Sequence, residues 1–139
     1  VTPNVHEAVA LTGERCTSKQ ASALHAMGCS NVVIKGGDSD AIDFKTDYVS
    51  LDCGAEVFDI RADAVVTQNT HGTGCTFSAA ISSYLALGYS LSDAIKSAKL
   101  FVTRALEAGA YITCGHGHGP ANHFFSPRRL KNFNPTPYI

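Results

Sequence analysis

Residues 69–81, Asn69-Thr70-His71-Gly72-Thr73-Gly74-Cys75-Thr76-Phe77-Ser78-Ala79-Ala80-Ile81, carry a glycine-rich turn directly into a helix. Phe77, Ile81, Tyr84 and Leu85 recur at helical spacing and Gly88 ends the run, so the spacing predicts a helix over 73–87. A helix amino terminus offers unpaired amides and the positive end of the helix dipole, which stabilise an anion without any side chain. Gly72 and Gly74 allow a phosphate to approach the backbone closely. The same field favours negative charge on sulfur at Cys75, a candidate base. The plainer alternative is that two glycines merely permit a tight loop and that Cys75 is a small buried hydrophobe. The turn is no P-loop, because the Gly-x-x-x-x-Gly-Lys-[Ser/Thr] spacing is missing.

Upstream, Val32-Val33-Ile34 is a continuous apolar run ending at Lys35-Gly36-Gly37, the pattern of a buried parallel strand that delivers a loop at its carboxyl end. Lys35 therefore stands where ligands of open α/β sheets collect, although a lysine there is also an ordinary solvated strand end. Asn4 is suited to cap a helix over 5–11, with Glu7 reaching back and Gly13 closing it. Thr17 with Gln20 repeats the capping pattern before an apolar face of Ala21, Leu24, Ala26 and Met27. Across 42–66, apolar residues alternate with polar ones and Gly54 is available for a turn, which predicts two or three antiparallel strands near a sheet edge. Ser90 with Asp93 caps a further helix whose face is Leu91, Ile95, Ala98, Val102 and Ala105. The order of elements indicates a layered α/β architecture. The tail over 110–139, with Gly115, Gly117, Gly119, Pro120, Pro127, Pro135 and Pro137, reads as loop.

Composition narrows the function classes. The 139 residues are 45% hydrophobic and 17% charged, ordinary for one globular domain, and 11 Lys+Arg against 12 Asp+Glu leave no basic field for nucleic acid or an anionic membrane. No apolar run approaches the roughly 20 residues that span a bilayer. Five scattered cysteines suit reduced thiols, and the sequence reads as that of a cytoplasmic protein acting on small molecules.

Residues 69–81 resemble the signature of the hydroxymethylpyrimidine/phosphomethylpyrimidine kinases of thiamin biosynthesis, within the ribokinase-like superfamily. The resemblance extends to Thr2-Pro3-Asn4-Val5-His6-Glu7-Ala8, to Val33-Ile34-Lys35-Gly36-Gly37 and to Gly115-His116-Gly117-His118-Gly119-Pro120-Ala121-Asn122-His123-Phe124, in family order. It implies part of a three-layer α/β/α fold, with a mainly parallel sheet and antiparallel edge strands, using ATP and Mg²⁺. It also implies that Gly72, Thr73 and Gly74 form an anion hole for the transferring phosphoryl group and that Cys75 is the base. Lys35 would contact nucleotide phosphates, and Asn4 with Glu7 would organise Mg²⁺ through its water shell. Asn-x-x-Glu is equally a good capping pair, and both roles can coexist. Asp38 departs from the histidine common in the family. Cys114, His116, His118 and His123 are competent zinc ligands, but Cys-x-His-x-His-x₄-His is not a standard structural zinc pattern, and a structural or interface role is the default.

Family members are larger, so the resemblance implies that residues 1–139 are the carboxyl-terminal part of a single kinase domain. Val1-Thr2-Pro3-Asn4 reads as a strand exit inside a larger fold. An absent amino-terminal half would leave a strand edge and an apolar face open, favouring association with that half or with a second copy. The implied substrate is a hydroxymethylpyrimidine or its monophosphate. The alternatives are a pyridoxine or pyridoxal kinase, and a noncatalytic nucleotide-binding or assembly module.

Overall fold

The first helix is set by a reciprocal cap. The Glu7 amide donates to Asn4 Oδ1 at 2.7 Å and the Asn4 amide donates to Glu7 Oε2 at 2.6 Å, satisfying two groups that a bare helix end leaves unpaired. In the computed structural model, which describes residues 1–37 and 43–127, this helix is α1 (Val5–Thr12), closed by left-handed Gly13. Asn4→Ala is expected to cost about 1 kcal/mol, read as a lowered urea midpoint with an unchanged slope.

The elements that follow are α2 (Thr17–Ala26), β1 (Val32–Ile34), β2 (Phe44–Leu51), β3 (Glu56–Asp63), α3 (Thr73–Ala86) and α4 (Leu91–Gly109). Thr17 is the first helical residue of α2 rather than its cap; Cys16 holds that position and makes no side-chain capping bond. Ala21 and Leu24 are buried as the spacing predicts, whereas Ala26 and Met27 at the end of α2 are exposed. Helix α4 follows its predicted stripe, with Ile95, Ala98, Val102 and Ala105 buried and the Ser90 hydroxyl accepting from the Asp93 amide.

The sheet order is β1-β2-β3, and both pairings are antiparallel. The antiparallel strands expected across 42–66 are present as β2 and β3, and β1, expected as a parallel strand, pairs antiparallel with β2. A three-residue 3₁₀ turn, Asp52–Gly54, joins β2 to β3, and no helix lies between β1 and β2 among the described residues. Parallel neighbours need a long crossover, so links of this kind return the chain antiparallel. Among the described residues β1 has a parallel partner in the extended segment 1–4: the Val33 amide donates to the Val1 carbonyl and the Lys35 amide to the Pro3 carbonyl, both at 2.9 Å.

Alternation along β1 divides the core. Val32 and Ile34 pack with Ala8 of α1 and with Ala21 and Leu24 of α2. Val33 joins Val49 and Leu51 against Phe77 and Ile81 of α3 and Ile95, Ala98 and Val102 of α4. Helices thus cover both faces of the strand that ends at Lys35. Among the described residues no helix is long and apolar enough to cross a membrane. The tail over 110–127 contains no helix or strand, yet it places Ala121 in the interior. Asp38 and the tail beyond Pro127 lie outside the described residues.

Candidate active site

Two glycines shape the turn before α3 for different reasons. Gly72 is the residue that caps the helix and has φ of 81°, a left-handed conformation that a side chain disfavours. Gly74 lies within the first turn of α3, and a Cβ there would sit 3.4 Å from Lys35 Nζ, in ordinary contact, so the ammonium lies beside the start of the helix. The Thr73 amide and hydroxyl both turn back to the Thr70 carbonyl, at 3.3 and 2.7 Å. The amides of Gly74 and Cys75 have no acceptor among the described residues and remain available to an anion.

Lys35 reaches this point because its backbone is held beside segment 1–4. Its ammonium donates to the Thr2 carbonyl at 2.6 Å and lies 3.9 Å from Glu7 Oε2. The strand-end lysine, the Asn4–Glu7 cap and the Gly72–Cys75 turn therefore come together. Thr2 and Ser78 share a hydroxyl hydrogen bond of 2.9 Å, which ties segment 1–4 to α3. Behind the lysine, the Gly36 amide donates to Asp47 Oδ1 at 2.9 Å, and Asp47 Oδ2 accepts from Lys99 at 2.8 Å. A Cβ on Gly36 would collide with the Thr46 carbonyl oxygen, so the loop after Lys35 requires glycine where β2 passes.

Cys75 is exposed, which removes its reading as a small buried hydrophobe. With Thr76, Ala79, Tyr84, Phe101 and His123 it lines an apolar cavity of about 600 Å³ between α3, α4 and the tail. A second hollow, of about 300 Å³, is formed by Gln68 and residues 110–117. All five cysteines are free thiols. The Ser18 hydroxyl, followed by the Lys19 and Ser18 amides, holds the Cys16 thiol below its ordinary value.

The glycine- and histidine-rich tail holds the turn from behind, a role the sequence did not reveal. The His71 amide donates to the Gly119 carbonyl at 3.0 Å, and His71 and Pro120 form a parallel bridge. Buried Asn69 donates from Nδ2 to the carbonyls of Gly109 at 2.6 Å and Ile112 at 2.7 Å. A Cβ on Gly119 would run into Asn69 Oδ1, whereas one on Gly117 would meet nothing within 4 Å. Gly119→Ala is thus expected to lower stability by about 1–3 kcal/mol, with Gly117→Ala near neutral, as read by thermal unfolding. The spacing of alternating glycines was a visible signal, but not which one touches Asn69. The candidate zinc ligands diverge: His118 Nδ1 lies 3.3 Å from the Gln68 carbonyl and His123 Nε2 lies 2.7 Å from the Thr76 hydroxyl. Among the described residues no three His, Cys, Asp or Glu side chains gather as a metal site.

The covered strand, the lysine at its end and the glycine turn opening α3 define a ribokinase-like α/β unit. Staphylococcus aureus pyridoxal kinase in complex with AMP-PCP superposes with a TM-score of 0.82 at 34% identity, covering 93% of this chain and 48% of that one. The chain belongs to the phosphomethylpyrimidine kinase family, whose profile matches residues 1–122. The hydroxymethylpyrimidine/phosphomethylpyrimidine kinase of Haemophilus influenzae is 42% identical over 131 residues, spanning 89% of this chain and 48% of that protein. The Bacillus subtilis protein of the same name is 41% identical over 137 residues, spanning 95% and 49%. The chain thus spans about half the length of these two relatives.

Proposed function

We propose that the chain is the phosphate-handling, carboxyl-terminal part of a cytoplasmic kinase that transfers the γ-phosphoryl group of ATP to hydroxymethylpyrimidine and to its monophosphate, in thiamin biosynthesis. The complete domain would be a three-layer α/β/α fold in which an amino-terminal half extends the sheet beyond segment 1–4 and brings the pyrimidine-recognising residues. The observation that carries the reading is the convergence of Lys35 Nζ on Gly74, where the Gly74 and Cys75 amides lack acceptors. One ammonium beside two amides that lack acceptors suits the spreading charge of a transferring phosphoryl group. Free thiols at all five cysteines accord with a reducing compartment.

In this mechanism Lys35 and the turn bind phosphate oxygens. Cys75 takes the proton of the substrate hydroxyl as its oxygen bonds to the γ-phosphorus and the bond to ADP breaks. The hard oxygen donors of Asn4 and Glu7 fit Mg²⁺ through its waters, since Glu7 Oε2 and Asn4 Oδ1 each already accept an amide and Lys35 stands close by. When bound, the ion neutralises phosphate charge; the chain's own part is to hold that water shell beside Lys35.

A second reading, as a pyridoxal kinase, is favoured by the likeness to the S. aureus enzyme. Steady-state ADP release, measured with each substrate on the chain completed by an amino-terminal half, separates the two. Faster turnover of the pyrimidine is expected. Equal turnover defeats the substrate assignment, and nucleotide binding without turnover of either would favour the noncatalytic module.

A further inference from the structure

His123 reaches the start of α3 through a single hydroxyl. Thr76 Oγ1 lies 2.8 Å from the Gly72 carbonyl, to which its hydroxyl can donate, and 2.7 Å from His123 Nε2, so one hydroxyl links the imidazole to the turn. The same Gly72 carbonyl accepts from the Thr76 amide, also at 2.8 Å. Gly72 is the left-handed residue that aims the free Gly74 and Cys75 amides. On the other side of the turn, the Gly119 carbonyl holds the His71 amide. Residues 119–123 thus grip the turn at both ends, at His71 and at Thr76, with the candidate anion site between.

We propose that His123 is a positioning residue, which fixes the anion-binding turn through Thr76 before any nucleotide arrives. Preorganised amides bind charge without reorganising, so an unheld turn would lose affinity for phosphate oxygens although none of its donors is removed. The inference deepens the kinase reading, and its first measurement does not depend on that reading.

That measurement is hydrogen exchange of the Thr73 and Thr76 amides, which are bonded to the Thr70 and Gly72 carbonyls, in the nucleotide-free chain, for His123→Ala, His123→Gln and Thr76→Val. Losing one hydrogen bond should speed exchange there about three- to tenfold, with the melting temperature little changed. Glutamine, which can still hydrogen-bond the Thr76 hydroxyl, should restore much of the protection. The double variant His123→Ala/Thr76→Val should exchange no faster than Thr76→Val alone, because both changes break one chain of bonds. Exchange equal to wild type in His123→Ala, or fully additive effects in the double variant, would overturn the proposal.

The second measurement is AMP-PCP affinity of the same proteins after completion with an amino-terminal half. The alanine variant should bind about three- to tenfold more weakly and the glutamine variant close to wild type. Unweakened binding by His123→Ala would also sink the positioning role. If the wild type itself fails to bind AMP-PCP, the kinase reading falls, and the exchange data alone still decide whether His123 holds the turn.

Discussion

Replacing Cys75 with alanine is expected to lower kcat by about 10²-fold or more while leaving ATP affinity nearly unchanged. The asymmetry follows from where the groups lie. The proposed anion donors of the turn are backbone amides of Gly74 and Cys75, and alanine retains both amides and helix geometry. Only the sulfur is lost. In the proposed mechanism the exposed thiol in the first turn of α3, beside amides that lack acceptors, receives a proton rather than gripping the nucleotide. The variant is to be assayed by steady-state kinetics in the chain completed with an amino-terminal half. Unchanged kcat would remove Cys75 as the base; a parallel fall in ATP affinity would make it part of the binding surface instead.

The largest loss of stability is expected at Asp47, a residue far from any sequence motif. Its carboxylate is buried in β2, receives the Gly36 amide on one oxygen and pairs with Lys99 of α4 on the other. Asp47→Ala leaves a largely buried ammonium and a buried amide without partners, a change that costs roughly 3–5 kcal/mol. Denaturant unfolding checks it, and a loss below about 1 kcal/mol would mean that the pair is worth no more than a surface one. Asp47→Asn retains an acceptor for Gly36 and should cost less. The consequence reaches the site, because the Gly36 amide directly follows Lys35. A loosened loop there should weaken nucleotide binding even where the protein remains folded.

Local features were largely legible in the chain. The Asn4–Glu7 cap, the buried Val32-Val33-Ile34 run, the stripe of α4 and the helix after Gly72 depend on nearest neighbours and on helical or strand periodicity, so spacing reveals them. The misread features had partners remote in sequence. The apolar run Val32-Val33-Ile34 suggests a parallel strand, whereas direction is set by the connections, and here the short link to β2 returns the chain antiparallel on that side. Met27, taken for core by its position after Leu24, is exposed because α2 has already ended at Ala26.

The glycine turn itself divides in the same way. Its two glycines, its cysteine and its place at a helix start follow from the order of residues, because backbone conformation at Gly72 and the dipole of α3 are local properties. That Lys35 lies beside Gly74, that Gly119 is bare to admit Asn69, and that His123 touches Thr76 were decided by packing across 39, 50 and 47 positions of the chain respectively. No periodicity encodes a contact of that separation. It exists only once β1, α3 and the tail are folded against one another, and with it the arrangement of ammonium, amides and thiol on which the proposed chemistry depends.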